Sequence, residues 1–141
     1  MHTLARLLRF SFVPAYPDLG LLVLRLWVAI PMLTLHGWGK LTNFAARSST
    51  FADPFGIGSL PSLALITFSE VVGSVLLALG LFTRVAAVMG AIGMTVAFIH
   101  GHQAKLSGPR SGELAFGLLG AYLVLLLTGP GRFSVDGGAK R

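Results

Sequence analysis

Four long apolar runs, about residues 19–37, 61–81, 84–104 and 112–129, make up most of the chain, with Gly, Pro and charged residues crowded into the gaps between them. Each run approaches the roughly twenty residues that a helix needs to cross a hydrocarbon core of about 30 Å. The pattern predicts an all-α membrane protein built as a four-transmembrane-helix bundle. Punctuation supports the boundaries. Asp18 precedes the first run, Pro61 suits the first turn of the second, and Gly80 to Thr83 folds the second and third runs into a hairpin. "SGPRSG" and "GPG" bracket the fourth run. The longest connection, about residues 38–60, is too short for a separate globular domain, so chemistry is expected in the bilayer or at its edge.

Composition agrees with this pattern. Of 141 residues, 54% are hydrophobic and 11% charged, where soluble domains carry about a quarter charged residues; mean hydropathy is +0.78. The formal charge of +6 does not indicate nucleic acid, because Lys and Arg are scattered singly at helix ends rather than gathered in a stripe. The absence of cysteine excludes disulfide exchange, thiolate catalysis, iron–sulfur ligation and c-type haem attachment by this chain.

Residues 1–18 place Arg6 and Arg9 among Leu4, Leu7, Leu8, Phe10 and Phe12, without a small-residue cleavage site. They read as a basic amphipathic segment at the membrane interface, broken by Pro14 and Pro17. Residues 19–136 form the transmembrane domain, and 137–141 a short basic tail. Counted by side, Arg6, Arg9, Arg84, Arg132, Lys140 and Arg141 face Lys40, Arg47, Lys105 and Arg110. That bias puts both termini in the cytoplasm.

"HGWGKL" at 36–41 matches "HGHQAKL" at 100–106, at the ends of the first and third runs. A shift by two helices preserves orientation, so duplication would yield two parallel helical-hairpin repeats.

The polar residues inside the apolar runs carry the candidate chemistry. Arg25 lies about 9 Å into the first helix, and Glu70 about 14 Å into the second from the opposite face. The depth gap of about 7 Å lets an arginine reach across, so the two are expected to pair, either as a buried bridge that fixes helix register or as the floor of a polar cavity. Arg25, Ala29, Met32 and His36 follow helical spacing, and Lys40 extends that stripe by a turn. Pro31 would kink this helix and open space beside the stripe. His36, Lys40, His100, His102 and Glu113 converge on one side of the membrane as a polar mouth. Wetted interfacial residues explain them equally well, while neutral-pH titration of histidine suits a protonated redox carrier. Two histidines, His36 and His100, are the minimum for a b-type haem and too little to assign one; no metal site is assigned to His36, His100, His102 and Glu113.

The ordered set of motifs resembles the DoxX family. It comprises "LRLWVAIPMLTLHGWGKL", "FSEVVGSVLLALGLFTR", "SGELAFGLLGAYLVLLL" and "GPGRFSVD", with Arg25, His36-Gly37, Lys40, Glu70, Gly80, Arg84, Glu113 and Asp136 in place across about residues 19–136. The resemblance implies a small four-helix protein of the bacterial inner membrane. Some such relatives are subunits of a thiosulfate:quinone oxidoreductase and others accompany redox and detoxification enzymes. Together with the polar stripe, it points to a subunit that binds or positions a quinone-like carrier in a membrane oxidoreductase system, with Arg25, His36, Lys40, Glu70, His100 and Glu113 around the carrier. The competing expectation is a non-catalytic accessory subunit of a larger respiratory or photosynthetic complex, using the glycine faces of helices 3 and 4, Gly93 and Gly117 among them. Quinone is the one cofactor suggested. Partners are expected to be membrane lipids and other membrane subunits or further copies of the chain, with no nucleic acid.

Overall fold

The computed structural model describes residues 8, 10 and 13–138. The basic residues Arg6, Arg9, Lys140 and Arg141 of the predicted terminal segments lie outside them. Four helices form an up-down bundle: α1 (Pro17–Thr42), α2 (Ser59–Leu79), α3 (Thr83–Gly101) and α4 (Glu113–Thr128). No strand occurs among the described residues. The first three helices are long and apolar enough to cross a membrane.

At 16 residues α4 is shorter, about 24 Å, yet it runs antiparallel beside nearly all of α3. Gly112 abuts Phe98 and His102 at one end, Phe116 packs against Phe98 with ring centroids 5.5 Å apart and planes tilted by 48°, and Gly129 lies beside Arg84 at the other end. The close approach depends on Gly90, where a Cβ would sit 2.2 Å from the Tyr122 ring. Absence of a side chain there lets the aromatic ring fill the interhelical space.

The α1 and α2 backbones approach in the same way at Gly37, where a Cβ would meet Val71 at 2.9 Å and the Glu70 backbone at 3.1 Å. Buried Val28, Ala29, Met32, Leu77, Ala86, Ala87, Met94, Tyr122 and Leu125 fill the bundle between these contacts. Most large apolar side chains instead point outward, Trp27, Leu35 and Leu127 among them. This inverted surface is what a protein solvated by lipid requires.

Three helices contain π-helical turns: Met32–Gly37, Ser69–Gly73 and Ala97–Gly101. Each π turn adds a residue to the local period and shifts the register of everything beyond it. In α1 the buried face therefore passes from Met32 to Gly37, five residues on, instead of to His36. Both His-Gly pairs of the internal match, His36-Gly37 and His100-Gly101, end such a turn. Pro31 immediately precedes the first one, where its missing N–H removes a helical hydrogen bond.

Candidate functional site

Two buried polar centres lie in opposite halves of the bundle. The first is Arg25, whose guanidinium is fully buried. It does not meet Glu70, and the expected Arg25–Glu70 pair is not formed. Arg25 lies level with the C-terminal end of α2 and donates to the carbonyls of Leu77 (3.3 Å) and Ala78 (3.2 Å) and to that of Phe133. Helix-end carbonyls lack intrahelical donors and carry the negative end of the helix dipole, so they are natural acceptors for a cation.

The turn that follows is a Schellman closure. The Leu81 N–H bonds the Leu76 carbonyl, the Gly80 N–H bonds Leu77, and Gly80 takes φ +68°. Only glycine fits there, because a Cβ would stand 2.2 Å from an Arg25 nitrogen. The segment after Gly131 folds back over this centre. The Arg132 N–H bonds Asp18, while Asp136 accepts from the Phe82 and Thr83 N–H groups and the Thr83 hydroxyl, capping α3. Asp136 also supplies a negative charge that acts on Arg25. This centre is a clasp joining α1, the α2–α3 turn and the C-terminal segment.

The second centre is an ion pair that spacing alone did not reveal. Lys40 Nζ lies 2.8 Å from Oε1 and 2.7 Å from Oε2 of Glu70, with the two side chains only 17% and 7% exposed. Glu70 is about 16 Å from the start of the 21-residue α2, near the middle of that helix. Gly37 is level with Glu70, and α1 continues without a break to Thr42, so Lys40 hangs about one turn above the carboxylate and reaches down to it. Arg25, level with Leu77, is about 10 Å away along α2. Lysine wins because it is nearer in depth.

The ion pair lines one side of a cavity of about 680 Å³ between α2 and α3. Its walls include Leu65, Ile66, Phe68, Met89, Ile92, Gly93, Met94 and Val96, and residues 51–55 border its mouth. Exposure of Leu65, Phe68 and Ile92 shows that the groove also opens sideways, toward the lipid-facing surface. Asp53 shapes the mouth by accepting from the N–H groups of Ile57 (3.0 Å) and Gly58 (2.7 Å) and from the Ser62 hydroxyl (2.9 Å). These bonds, the Gly58 N–H foremost, hold its carboxyl below the usual carboxylate range against a smaller opposing effect of burial. His100 stands at the rim, its ring centroid 6.4 Å from that of Phe55.

The six anticipated residues thus separate. Lys40, Glu70 and His100 line the one cavity. Arg25 belongs to the clasp, His36 is rotated off the buried face by the π turn, and Glu113 is exposed in the first turn of α4. His102 hydrogen-bonds the Arg110 carbonyl at 3.0 Å, away from the cavity. Among the described residues no group of three or more His, Asp or Glu could hold a metal ion. Gly93 lies against Ile66 in the wall of the groove, whereas Gly117 faces outward. Tyr122, on the buried face of α4 with its ring against Gly90, had no periodic signal to mark it. Thr67 and Ser74 lie one turn to either side of Glu70, with buried hydroxyls that have no hydrogen-bond partner among the described residues.

The fold and the site define a class: a small helical integral membrane protein with a lipid-accessible groove running to a buried ion pair. The chain belongs to the DoxX family, whose model matches residues 20–103. It is similar to "Inner membrane protein YqjF" of Escherichia coli K12, with 29% identity over 121 residues covering 84% of this chain and 91% of that protein. It is also similar to an uncharacterized protein of Haemophilus influenzae, with 36% identity over 126 residues covering 86% and 91%. No solved structure matches.

Proposed function

We propose that the chain is an inner-membrane subunit that binds or positions a quinone-like carrier within a membrane oxidoreductase system. The observation that carries this reading is the apolar groove that runs from the lipid-facing surface to the Lys40–Glu70 pair. A quinone ring offers carbonyl oxygens to which an ammonium donates, and its reduced form offers hydroxyls that a carboxylate accepts. A hydrocarbon tail suits walls made by Leu65, Phe68, Ile92 and Val96. The bias of basic residues supports cytoplasmic termini, which puts the groove mouth on the opposite side.

The test is purification of the tagged protein at native expression in mild detergent, with mass spectrometry of the accompanying proteins and small molecules. Stoichiometric quinone and an oxidoreductase partner are expected. Glu70→Gln keeps the side-chain length and an oxygen that still accepts from Lys40, which offsets part of the cost of the unpaired charge, so the variant should remain helical while losing the quinone. Full quinone retention in that variant, or a large assembly with no quinone on the wild-type chain, would reject the reading in favour of an accessory subunit.

A further inference from the structure

The charge balance at the inner end of the groove restricts what can bind there. Among the described residues Lys40 is the only lysine or arginine lining the cavity, and it is engaged by both oxygens of Glu70. Asp53, the remaining carboxylate in the lining, is engaged by Ile57, Gly58 and Ser62. An anionic head drawn down to the ion pair, beyond His100 at the rim, would lose its hydration and find there only a positive charge already engaged by Glu70.

The ion pair is neutral overall, and its hydrogen-bonding capacity is incompletely used. An ammonium has three donors and a carboxylate about four acceptor positions. The two contacts between Lys40 and Glu70 take up two of each, and no other described group bonds to either side chain. A donor and acceptors are therefore left side by side against apolar walls, where leaving them unmet is costly. The volume is that of a site for one small ligand, too small to enclose a two-chain phospholipid.

We propose that the groove selects an uncharged, single-chain amphiphile whose compact head carries an acceptor for Lys40 beside a donor for Glu70, as a hydroquinone or hydroxy-carbonyl head does, and that it rejects phosphate heads. This rests on the reading of the groove as an amphiphile site and adds to it a rule of head-group selection.

Three probes with a common decyl chain test the rule by isothermal titration of the full-length chain in a maltoside micelle: decylhydroquinone, its dimethyl ether, which cannot donate, and decyl phosphate. Decylhydroquinone should bind at least about tenfold more tightly than either of the others, the scale of one lost hydrogen bond to a buried charge. Equal binding of the ether overturns the rule and leaves the groove reading standing; so does tighter binding of decyl phosphate. Failure of all three to bind overturns both.

Glu70→Gln supplies a second readout. It releases the Lys40 charge and replaces the charged acceptor for the hydroquinone by a neutral amide, so decyl phosphate should gain at least about tenfold in affinity while decylhydroquinone loses affinity, and the order of preference should reverse. An unchanged order overturns the rule. Should that variant fail to fold, Lys40→Met/Glu70→Met removes both charges together, and decylhydroquinone and its ether should then bind equally. A persisting preference in the double variant would place the selecting groups elsewhere and overturn the assignment.

Discussion

At the scale of single residues, the bundle holds three charges, Arg25, Lys40 and Glu70, in surroundings where an uncompensated charge is expensive, and it compensates them differently. Arg25 is met by helix-end and tail carbonyls with Asp136 nearby, whereas Lys40 and Glu70 are met chiefly by each other. The distinction has an energetic consequence. Removing one member of a buried pair leaves the other charge stranded and costs about 3–5 kcal/mol, whereas replacing both by apolar groups of similar size is often close to neutral. Lys40→Met should therefore destabilise by about 3–5 kcal/mol, with Lys40→Met/Glu70→Met recovering most of that loss. Reversible unfolding in mixed micelles would measure both. Additive losses in the double variant would mean that the two charges are not coupled.

At the scale of elements, the helices were legible because hydropathy and punctuation are local signals, and α2 and α3 begin and end within a few residues of their apolar runs. The pairing of charges was not. A period of 3.6 carries the buried face of α1 from Met32 to His36, but the π turn at Met32–Gly37 carries it to Gly37, which leaves His36 aside and brings Lys40 over Glu70. Nothing in residue type announces a π turn. An apolar run that ends near residue 37 places Lys40 at the polar mouth, a turn beyond the stripe, whereas the helix continues to Thr42 and Lys40 reaches down to Glu70. The loop before α2 adds an element whose order should depend on pH. Hydrogen bonds led by that from the Gly58 N–H hold the Asp53 carboxyl below its usual range. Its contribution is thus present above the ordinary carboxylate value and is lost as pH falls through the depressed folded-state value. Acidification should accordingly loosen residues 51–58, seen as faster proteolysis of this loop across a pH series, corrected with a protease whose own activity is flat there. Asp53→Asn should cleave at a pH-independent rate. A loop equally resistant at all pH values in the wild-type chain would show that these bonds do not order it.

At the scale of the whole molecule, the two polar centres divide the labour between holding the bundle together and offering a site. The clasp engages α1 through Arg25 and Asp18, the end of α2 through its carbonyls, the start of α3 through Asp136, and the chain after α4 through Phe133 and Arg132. The groove uses the opposite half of α1, α2 and α3 and shares none of those partners. Independence follows from the distance: Arg25 lies level with Leu77, about 10 Å along α2 from Glu70, and effects at sites so separated add to within about 0.5 kcal/mol. Arg25→Met removes a charged donor from three carbonyls, a loss of about 3 kcal/mol given that hydrogen bonds to charged groups contribute roughly 1.5–3 kcal/mol each and are not additive within one network. It should free the C-terminal segment for proteolysis near Phe133, yet leave decylhydroquinone affinity within about twofold of wild type, because no groove residue has moved. Combined with Lys40→Met, the two destabilisations should sum. Binding that collapses in Arg25→Met while the variant remains folded would instead show that the clasp and the groove act as one unit, with the C-terminal segment setting the spacing of the helices around the ion pair.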